Sequence, residues 1–157
     1  MTPDPCKCAK CRERTVSPLV ENYCVALDHD GRAYEVTVPS LSVLVCAKCG
    51  NRLLDREANR RVSDALREAA GLLTPTEIRH NRAELGLTQK ELAERLKIAE
   101  ATLSRWETGA QIQQRGFDLL LRLYFEVDAV RVHLAPKTPA LQAGGPPRPV
   151  AASTVTA

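Results

Sequence analysis

Apolar residues alternate with polar or small residues along two stretches in the first third of the chain. The alternating apolar positions are Tyr23, Val25 and Leu27 in the first stretch and Tyr34, Val36 and Val38 in the second. Between them, Asp28-His29-Asp30-Gly31 is typical of a turn. Pro39-Ser40 interrupts the second stretch, and Leu41–Val45 begins a third. The pattern predicts a three-stranded antiparallel meander.

A helical period replaces this alternation between Arg52 and Leu73. The apolar residues that recur there every three or four positions are Leu54, Ala58, Val62, Ala65, Ala69 and Leu72. Gly71 near the end of the segment and Pro75 just beyond it are stop signals. We predict one helix over residues 52–73, which links an N-terminal and a C-terminal domain.

Two capping boxes mark the starts of further helices. Thr74-Pro75-Thr76-Glu77 and Thr88-Gln89-Lys90-Glu91 each place a glutamate three residues after a threonine, and Gly86 and Gly109 are typical helix ends. The predicted helices are Pro75–Leu85, Gln89–Lys97, Glu100–Glu107 and Arg115–Val127. Their predicted core consists of Leu92, Ala93, Leu96, Ile98, Leu103, Trp106, Phe117, Leu120, Leu121 and Tyr124.

Composition limits the class of protein. No apolar run reaches the roughly 18–20 residues that a membrane span needs, and the first residues lack the pattern of a signal peptide, so we expect a cytoplasmic protein. His29, His80 and His133 are isolated, and no nucleophile–base pattern is present, so we expect no enzyme. The tail at residues 135–157 is rich in proline, glycine and small residues, and we expect it to be disordered.

All six cysteines lie in the first third of the chain, and four of them form two C-x2-C motifs. These are Cys8 with Cys11 and Cys46 with Cys49. Four thiolates around a tetrahedral Zn²⁺ make a closed structural site, so the motifs predict a zinc-binding β domain over residues 1–51. Unrelated reduced thiols and a redox pair are the alternatives. The sequence leaves open whether Cys6 replaces Cys8, and it favours Cys24 as a small packed residue.

The segment from Leu87 to Gly109 resembles the helix-turn-helix of the Cro/repressor (Xre) family. The matching residues read Leu87-Thr88-Gln89-Lys90-Glu91-Leu92-Ala93, Leu96 and Leu103-Ser104-Arg105-Trp106-Glu107-Thr108-Gly109. The resemblance implies a DNA-binding domain over residues 74–134 whose third helix enters the major groove.

Several residue roles come with that resemblance. Gln89 would bind phosphate, and Ser104 would lie near the DNA backbone. Lys90 is either a further DNA contact or a solvated surface charge. Glu100, Ala101, Thr102 and Arg105 would face the DNA, while Glu107 would pair with Arg82 and Trp106 would belong to the core. The sequence departs from the family where Lys97 replaces the usual glycine of the turn and Ala99 replaces the usual Ser or Thr cap. Segment 74–134 also carries nine basic and nine acidic side chains, so affinity for DNA must come from their placement.

The order of zinc motifs, linking helix and Xre domain is similar to the MqsA/YgiT-type antitoxin family. The resemblance implies an α+β protein of two domains, a small zinc-bound antiparallel β domain and an all-α five-helix helix-turn-helix domain. It implies that the β domain neutralises a protein toxin, and that a homodimer, formed through the C-terminal domain, represses its own operon at a palindromic DNA operator. The alternative is a stand-alone Xre-type transcriptional regulator with a structural zinc domain.

Overall fold

The computed structural model describes residues 6–135, in which a four-stranded antiparallel sheet precedes six helices. The strands follow one another in the sheet in chain order and are β1 (Cys6–Lys7), β2 (Arg14–His29), β3 (Arg32–Cys46) and β4 (Arg52–Leu53). The helices are α1 (Arg56–Ala70), α2 (Pro75–Glu84), α3 (Gln89–Leu96), α4 (Glu100–Thr108), α5 (Arg115–Glu126) and α6 (Asp128–His133). The α+β architecture is as predicted. The segment expected to be disordered lies outside the described residues except for Ala135, and no helix among the described residues is long and apolar enough to cross a membrane.

The sheet is mainly one long hairpin, so the predicted three-stranded meander is wrong. β2 and β3 pair from Val16↔Cys46 to His29↔Arg32, and Leu41–Val45 continues β3 instead of forming a separate strand. The register shifts between Glu21 and Tyr23. A bulge of this kind absorbs the irregular backbone of Pro39 and Ser40 without ending the strand. Ser40 takes a positive φ of 49° there, and its N–H donates to Asn22 Oδ1 at 3.2 Å.

The predicted linking helix begins later than expected and packs against the sheet. Arg52–Leu53 form β4, and Asp55 then caps α1 by accepting from Ala58 N–H at 2.7 Å. The inner face of the hairpin covers the apolar side of α1 in one core cluster. Its fully buried members are Val36, Val38, Leu41, Val43, Ala58, Val62 and Leu66. Because the apolar stripe of α1 is buried here, the helix belongs to the core of the sheet.

Helices α2 to α6 form the second unit. Its total of five helices is the number that the family resemblance implied, and four of them were predicted from the sequence pattern. Both capping boxes are present, because Thr74 and Thr88 accept from the third residue of their helices while Glu77 and Glu91 bond back to the capping residues. The buried core matches the apolar periodicity and contains Leu73, Ile78, Leu87, Leu92, Ala93, Leu96, Leu103, Trp106, Leu121 and Tyr124. The helix boundaries differ from the predicted ones by a residue, and α6 is an additional short helix.

The two units are joined at the loop between α4 and α5. At the hairpin tip, His29 Nε2 lies 3.1 Å from Gln113 O, and Asp30 Oδ2 accepts from Arg115 N–H at 3.0 Å. Gln114, the residue at the start of α5, makes no side-chain cap of its own. Asp30 therefore provides the helix cap from the other unit, satisfying one of the N–H groups that a helix start leaves free. The buried Arg67 of α1 approaches the same loop.

Candidate metal centre and nucleic-acid interface

Four cysteine side chains converge where the hairpin ends meet. The sulfurs of Cys8, Cys11, Cys46 and Cys49 all lie within 4.8 Å of one another. Both C-x2-C turns have the same backbone geometry, since Arg12 N–H donates to Cys8 O and Gly50 N–H donates to Cys46 O, each at 2.9 Å. The residue after each second cysteine adopts a positive φ, 63° at Arg12 and 67° at Gly50. The turns are thus two equivalent knuckles, brought together by the pairing of β2 with β3, and their geometry could hold a metal ion.

The dimensions of this four-cysteine cluster suit a tetrahedral metal ion. A zinc–sulfur bond of about 2.3 Å places two sulfurs of a tetrahedron about 3.8 Å apart. The Cys8 and Cys49 sulfurs are 3.7 Å apart, and those of Cys11 and Cys46 are 3.6 Å apart. The four thiols together can therefore hold a metal ion, and the thiol-only donor set suits zinc.

The surroundings of the cluster favour the thiolate form at two of its sulfurs. The hydroxyl of Thr15, 3.2 Å from Cys46 Sγ, and the N–H of Cys49 lower the pKa of Cys46 to about 6. The N–H of Cys11 lowers the pKa of Cys8 in the same way, against the opposing effect of burial. At Cys11 the Glu13 N–H acts to lower the pKa, but burial and the three neighbouring thiols raise it to about 12. Thiolate is the form that binds metal.

The other two cysteines lie outside this cluster. Cys6 is exposed on β1, and its sulfur is 4.0 Å from Val16 O, so the structure brings Cys8 and not Cys6 to the other three. Cys24 is exposed on β2, 3.4 Å from the Thr37 hydroxyl. The prediction that Cys24 is a packed residue is wrong, because it lies on the face of the hairpin opposite α1. Thr15 was not predicted from the sequence, since only the fold brings it to Cys46.

Helix α4 divides into a buried side and an exposed side. Leu103, Trp106 and Glu107 are buried, whereas Glu100, Ala101 and Arg105 are exposed. Thr102 and Ser104 are half-buried at the border between the two sides. The five residues of α4 that the family resemblance places at DNA therefore share one accessible surface of the helix. Trp106 lies in the core, as predicted.

The turn between α3 and α4 forms despite its two departures from the family pattern. Lys97 occupies the left-handed position that ends α3, with φ 57° and ψ 38°, and its N–H bonds back to Ala93 O and Glu94 O. Ala99 stands at the start of α4 and provides no side-chain cap. The first N–H groups of α4 therefore make no hydrogen bond to a capping side chain. They lie at the end of the helix that carries Glu100 and Ala101.

A buried ion pair holds α4 against α2. Arg82 and Glu107 form two parallel hydrogen bonds of 2.6 and 2.9 Å, which confirms the predicted pair. Gln89 donates its amide to Glu107 Oε2 at 2.8 Å, and Arg79 donates to the Glu107 carbonyl. Gln89 is thus half-buried and oriented by Glu107, a contact that its proposed phosphate role did not suggest.

The structure distributes the charges of this neutral segment unevenly. Many of its carboxylates bond within the unit, namely Glu77 and Glu91 in capping boxes and Glu107, Asp118 and Asp128 in pairs with Arg82, Arg122 and Arg131. Within residues 6–135, Lys90, Lys97 and Arg105 form no ion pair and are exposed. The unpaired basic groups on α3, its turn and α4 are therefore available to an anion.

Comparison with known protein families agrees with this geometry. Residues 78–124 match the family model described as Helix-turn-helix, a span from α2 to the last turns of α5. This part of the chain is an Xre-type helix-turn-helix domain. The match supports a DNA-binding transcriptional regulator of the Xre type. No curated protein matches the chain.

Proposed function

We propose that this protein is a transcriptional repressor that acts as the antitoxin of a type II toxin–antitoxin system. In this proposal the helix-turn-helix domain binds the operator of its own operon, and the sheet unit binds and neutralises a protein toxin. The observation that carries the proposal is the presence, in one chain, of an Xre-type domain and a separate four-cysteine module. The chain acts in the cytoplasm and performs no catalysis of its own.

The exposed side of α4 would lie in the major groove. Arg105 is the long basic side chain of that surface, and a bidentate contact to guanine would contribute about 1–3 kcal/mol of discrimination. Ala101 offers a methyl contact to thymine, and Glu100 accepts a hydrogen bond from cytosine. Thr102 and Ser104 bond at the edge of the groove. Lys90 and Gln89 lie at the start of α3, where free N–H groups already favour a phosphate.

Zinc would serve the sheet unit as a structural ion. Cys8, Cys11, Cys46 and Cys49 would hold it, and a site with four protein ligands has no open position for catalysis. The ion would fix the two ends of the β2–β3 hairpin, and with them the surface offered to a partner protein. Cys6 and Cys24 lie outside the four-cysteine cluster and would have no part in this role.

A homodimer is needed because one domain of this kind offers few DNA contacts. Xre-type proteins read two half-sites about one helical turn apart, so a palindromic operator mirrors the two-fold axis of the protein. The C-terminal unit has an exposed apolar strip suited to such an axis, consisting of Leu119, Leu123, Val127 and Val132. We assign the dimer interface to this strip, which runs from α5 through Val127 to α6.

DNA binding is tested with a duplex taken from the region upstream of the gene and a scrambled duplex of equal length. Arg105→Ala should lose the preference for the upstream duplex, whereas Gln89→Ala should weaken both duplexes and reduce the salt dependence by about one phosphate contact. Arg56→Ala, an exposed arginine on α1, is the matched control. Normal upstream-duplex binding by Arg105→Ala would contradict the assignment of α4.

The antitoxin role is tested by the reading frame next to the gene. Expression of that frame alone should arrest growth, and co-expression of this chain should restore it through a complex that purifies intact. A harmless neighbour that forms no complex would favour the stand-alone regulator, for which the helix-turn-helix match alone is sufficient.

A further inference from the structure

Strand β2 has a long open edge. β1 pairs with it only at Arg14 and Val16, and within residues 6–135 no strand continues along that edge beyond Val16. β3 occupies the other side of β2 as far as His29. Natural proteins usually protect such edges with charges or a covering element, because an open edge accepts another strand.

Two adjacent residues, Leu19 and Val20, make the open edge apolar on both faces of the sheet. Leu19 pairs with Val43 and so lies on the face toward α1, whereas Val20 pairs with Ser42 and lies on the opposite face. Leu19 is 48% exposed and Val20 is 65% exposed. A partner that packs on one face of the hairpin can cover only one of these side chains. A strand added along the edge contacts both.

The backbone at Val20 is oriented for such an addition. Thr15 O bonds to Ala47 N–H on the β3 side, whereas Cys6 Sγ approaches Val16 O from the other side. Backbone groups alternate along an antiparallel strand, so the N–H and C=O of Val20 point to the open edge, as those of Val16 do. Pro18 has the same orientation, and its missing N–H costs β2 no bond with β3.

The charge toward the hairpin tip indicates the kind of strand. Residues 17–44 hold four carboxylates and the basic side chain of Arg32. Of the carboxylates, Glu21 is paired with Arg52, and Asp30 accepts from Arg115 N–H. Asp28 and Glu35 are exposed on strands β2 and β3 near the tip. These two carboxylates complement basic residues at the tip end of an added strand.

We propose that the toxin binds by adding a β-strand, with basic residues on the side of the hairpin tip, to the open edge of β2 at Leu19 and Val20. This inference rests on the proposed function, since it identifies where the sheet unit meets the partner. Main-chain bonds from the edge supply affinity, and the two exposed apolar side chains set the register. β1 already pairs with the same edge over its two residues, which shows that the edge accepts a strand.

The probe for the test is the purified product of the reading frame adjacent to the gene. Val20→Pro removes the edge N–H and should weaken binding of the probe at least tenfold. Val20→Thr keeps both the N–H and the branched shape, and it should remain within about threefold of the unchanged chain. Leu119→Lys, on the dimer strip, is the matched control and should bind the probe normally. Hydrogen exchange should show the Val20 amide protected only in the complex.

Each other outcome overturns the inference in a distinct way. Equal weakening by Val20→Pro and Val20→Thr would indicate packing against a side chain, and normal binding by both would place the partner elsewhere, while the antitoxin proposal would stand. Absence of binding by the unchanged chain would remove both proposals.

Dimers abolished by Val20→Pro but retained by Leu119→Lys would identify a second copy as the occupant of the edge. Affinity that does not fall with salt, or with Asp28→Asn and Glu35→Gln together, would contradict a basic partner.

Circular dichroism and binding of the upstream duplex serve as folding controls for the variants of the hairpin, and circular dichroism alone serves for Leu119→Lys, which lies in the proposed dimer interface. Val20→Pro should leave both unchanged, because the lost N–H does not face β3. A variant that fails these controls is replaced by Leu19→Lys/Val20→Lys, which places charges on both faces of the open edge. The double variant should also weaken probe binding at least tenfold, and normal binding would overturn the inference.

Discussion

The helix-turn-helix unit and the sheet unit differ in what holds them together. Ten buried apolar side chains form one cluster in the helical unit, and two capping boxes support its helix starts. The thiol end of the sheet has three buried residues in its cluster, of which only Val16 is not a cysteine. So small an apolar cluster contributes little hydrophobic free energy. We therefore propose that this end depends on the metal ion that its four thiols can hold, whereas the helical unit depends on packing.

The largest expected effect separates the two units directly. Cys46→Ser removes one of the four proposed metal ligands, and structural zinc can contribute on the order of 10 kcal/mol to folding. We expect the amides at the thiol end of the sheet to lose protection from hydrogen exchange while the fluorescence of Trp106, the single tryptophan, still reports a folded helical unit. Cys24→Ser is the control and should change neither signal. Continued protection of the thiol end in Cys46→Ser, or after chelation, would contradict its proposed dependence on a metal ion.

A second effect tests whether the helical unit depends on its buried ion pair as well as its core. Glu107 is 1% exposed, and Arg82→Ala would leave it without its bidentate partner. Breaking a buried pair in this way typically costs about 3–5 kcal/mol. Denaturant unfolding followed by Trp106 fluorescence measures the loss. An unchanged unfolding midpoint would show that packing alone holds α4.

The same pair predicts how stability depends on pH. Burial acts to raise the pKa of Glu107, but the hydrogen bonds from Arg82 and Gln89 outweigh it, and the net pKa is lowered. The stabilisation is therefore complete above the ordinary carboxyl value of about 4.3 and is lost as the pH falls through the lower folded value. Unfolding free energies measured in that acidic range should fall less steeply for Glu107→Gln than for the unchanged chain.

A smaller effect is expected where the two units meet. Asp30→Ala removes the cap that the hairpin tip provides to α5, and loss of a helix cap costs about 1 kcal/mol. The first amides of α5 should then exchange faster. Asp28→Ala, an exposed aspartate on the same hairpin, is the matched control. Equal exchange in both variants would show that the units are stabilised separately.

The smallest expected effect is a gain in stability at the turn of the helical unit. Lys97 holds a left-handed backbone with φ 57°, which costs most residues roughly 1–2 kcal/mol but costs glycine little. Replacing Lys97 with glycine removes this cost, but the greater freedom of glycine in the unfolded chain offsets part of the benefit. We therefore expect Lys97→Gly to raise the free energy of unfolding by about 0.5 kcal/mol. Thermal unfolding measures the change, and Lys97→Ala should show no gain.

Much of the helical unit could be predicted because its signals are local. Thr74 with Glu77 and Thr88 with Glu91 lie three residues apart, so the sequence alone specifies where those helices begin. The inward positions follow from the helical period, and Trp106 lies in the core as that period predicts. The Arg82–Glu107 pair joins residues 25 positions apart, and only the family resemblance pointed to it.

The sheet unit was harder to predict because its deciding contacts are distant in sequence. Pro39-Ser40 resembles a strand end, yet the pairing with β2 continues past it, since a bulge opposite Asn22 absorbs the extra residue. Arg52–Leu53 fit a helical period but pair with β3 instead. In both places a backbone pairing made elsewhere overrides the local pattern.

By itself the sequence determined the helical period, the caps, the two C-x2-C motifs and the α+β class of this protein, because each depends on residues a few positions apart. Only the tertiary structure decided that Cys8 and not Cys6 joins the other three thiols, that Asp30 caps α5, and that Gln89 bonds to Glu107. Each of these depends on where β2, β3 and the helices meet in space. Strand pairing and core packing fix those positions, and neither is encoded in any short stretch of the chain.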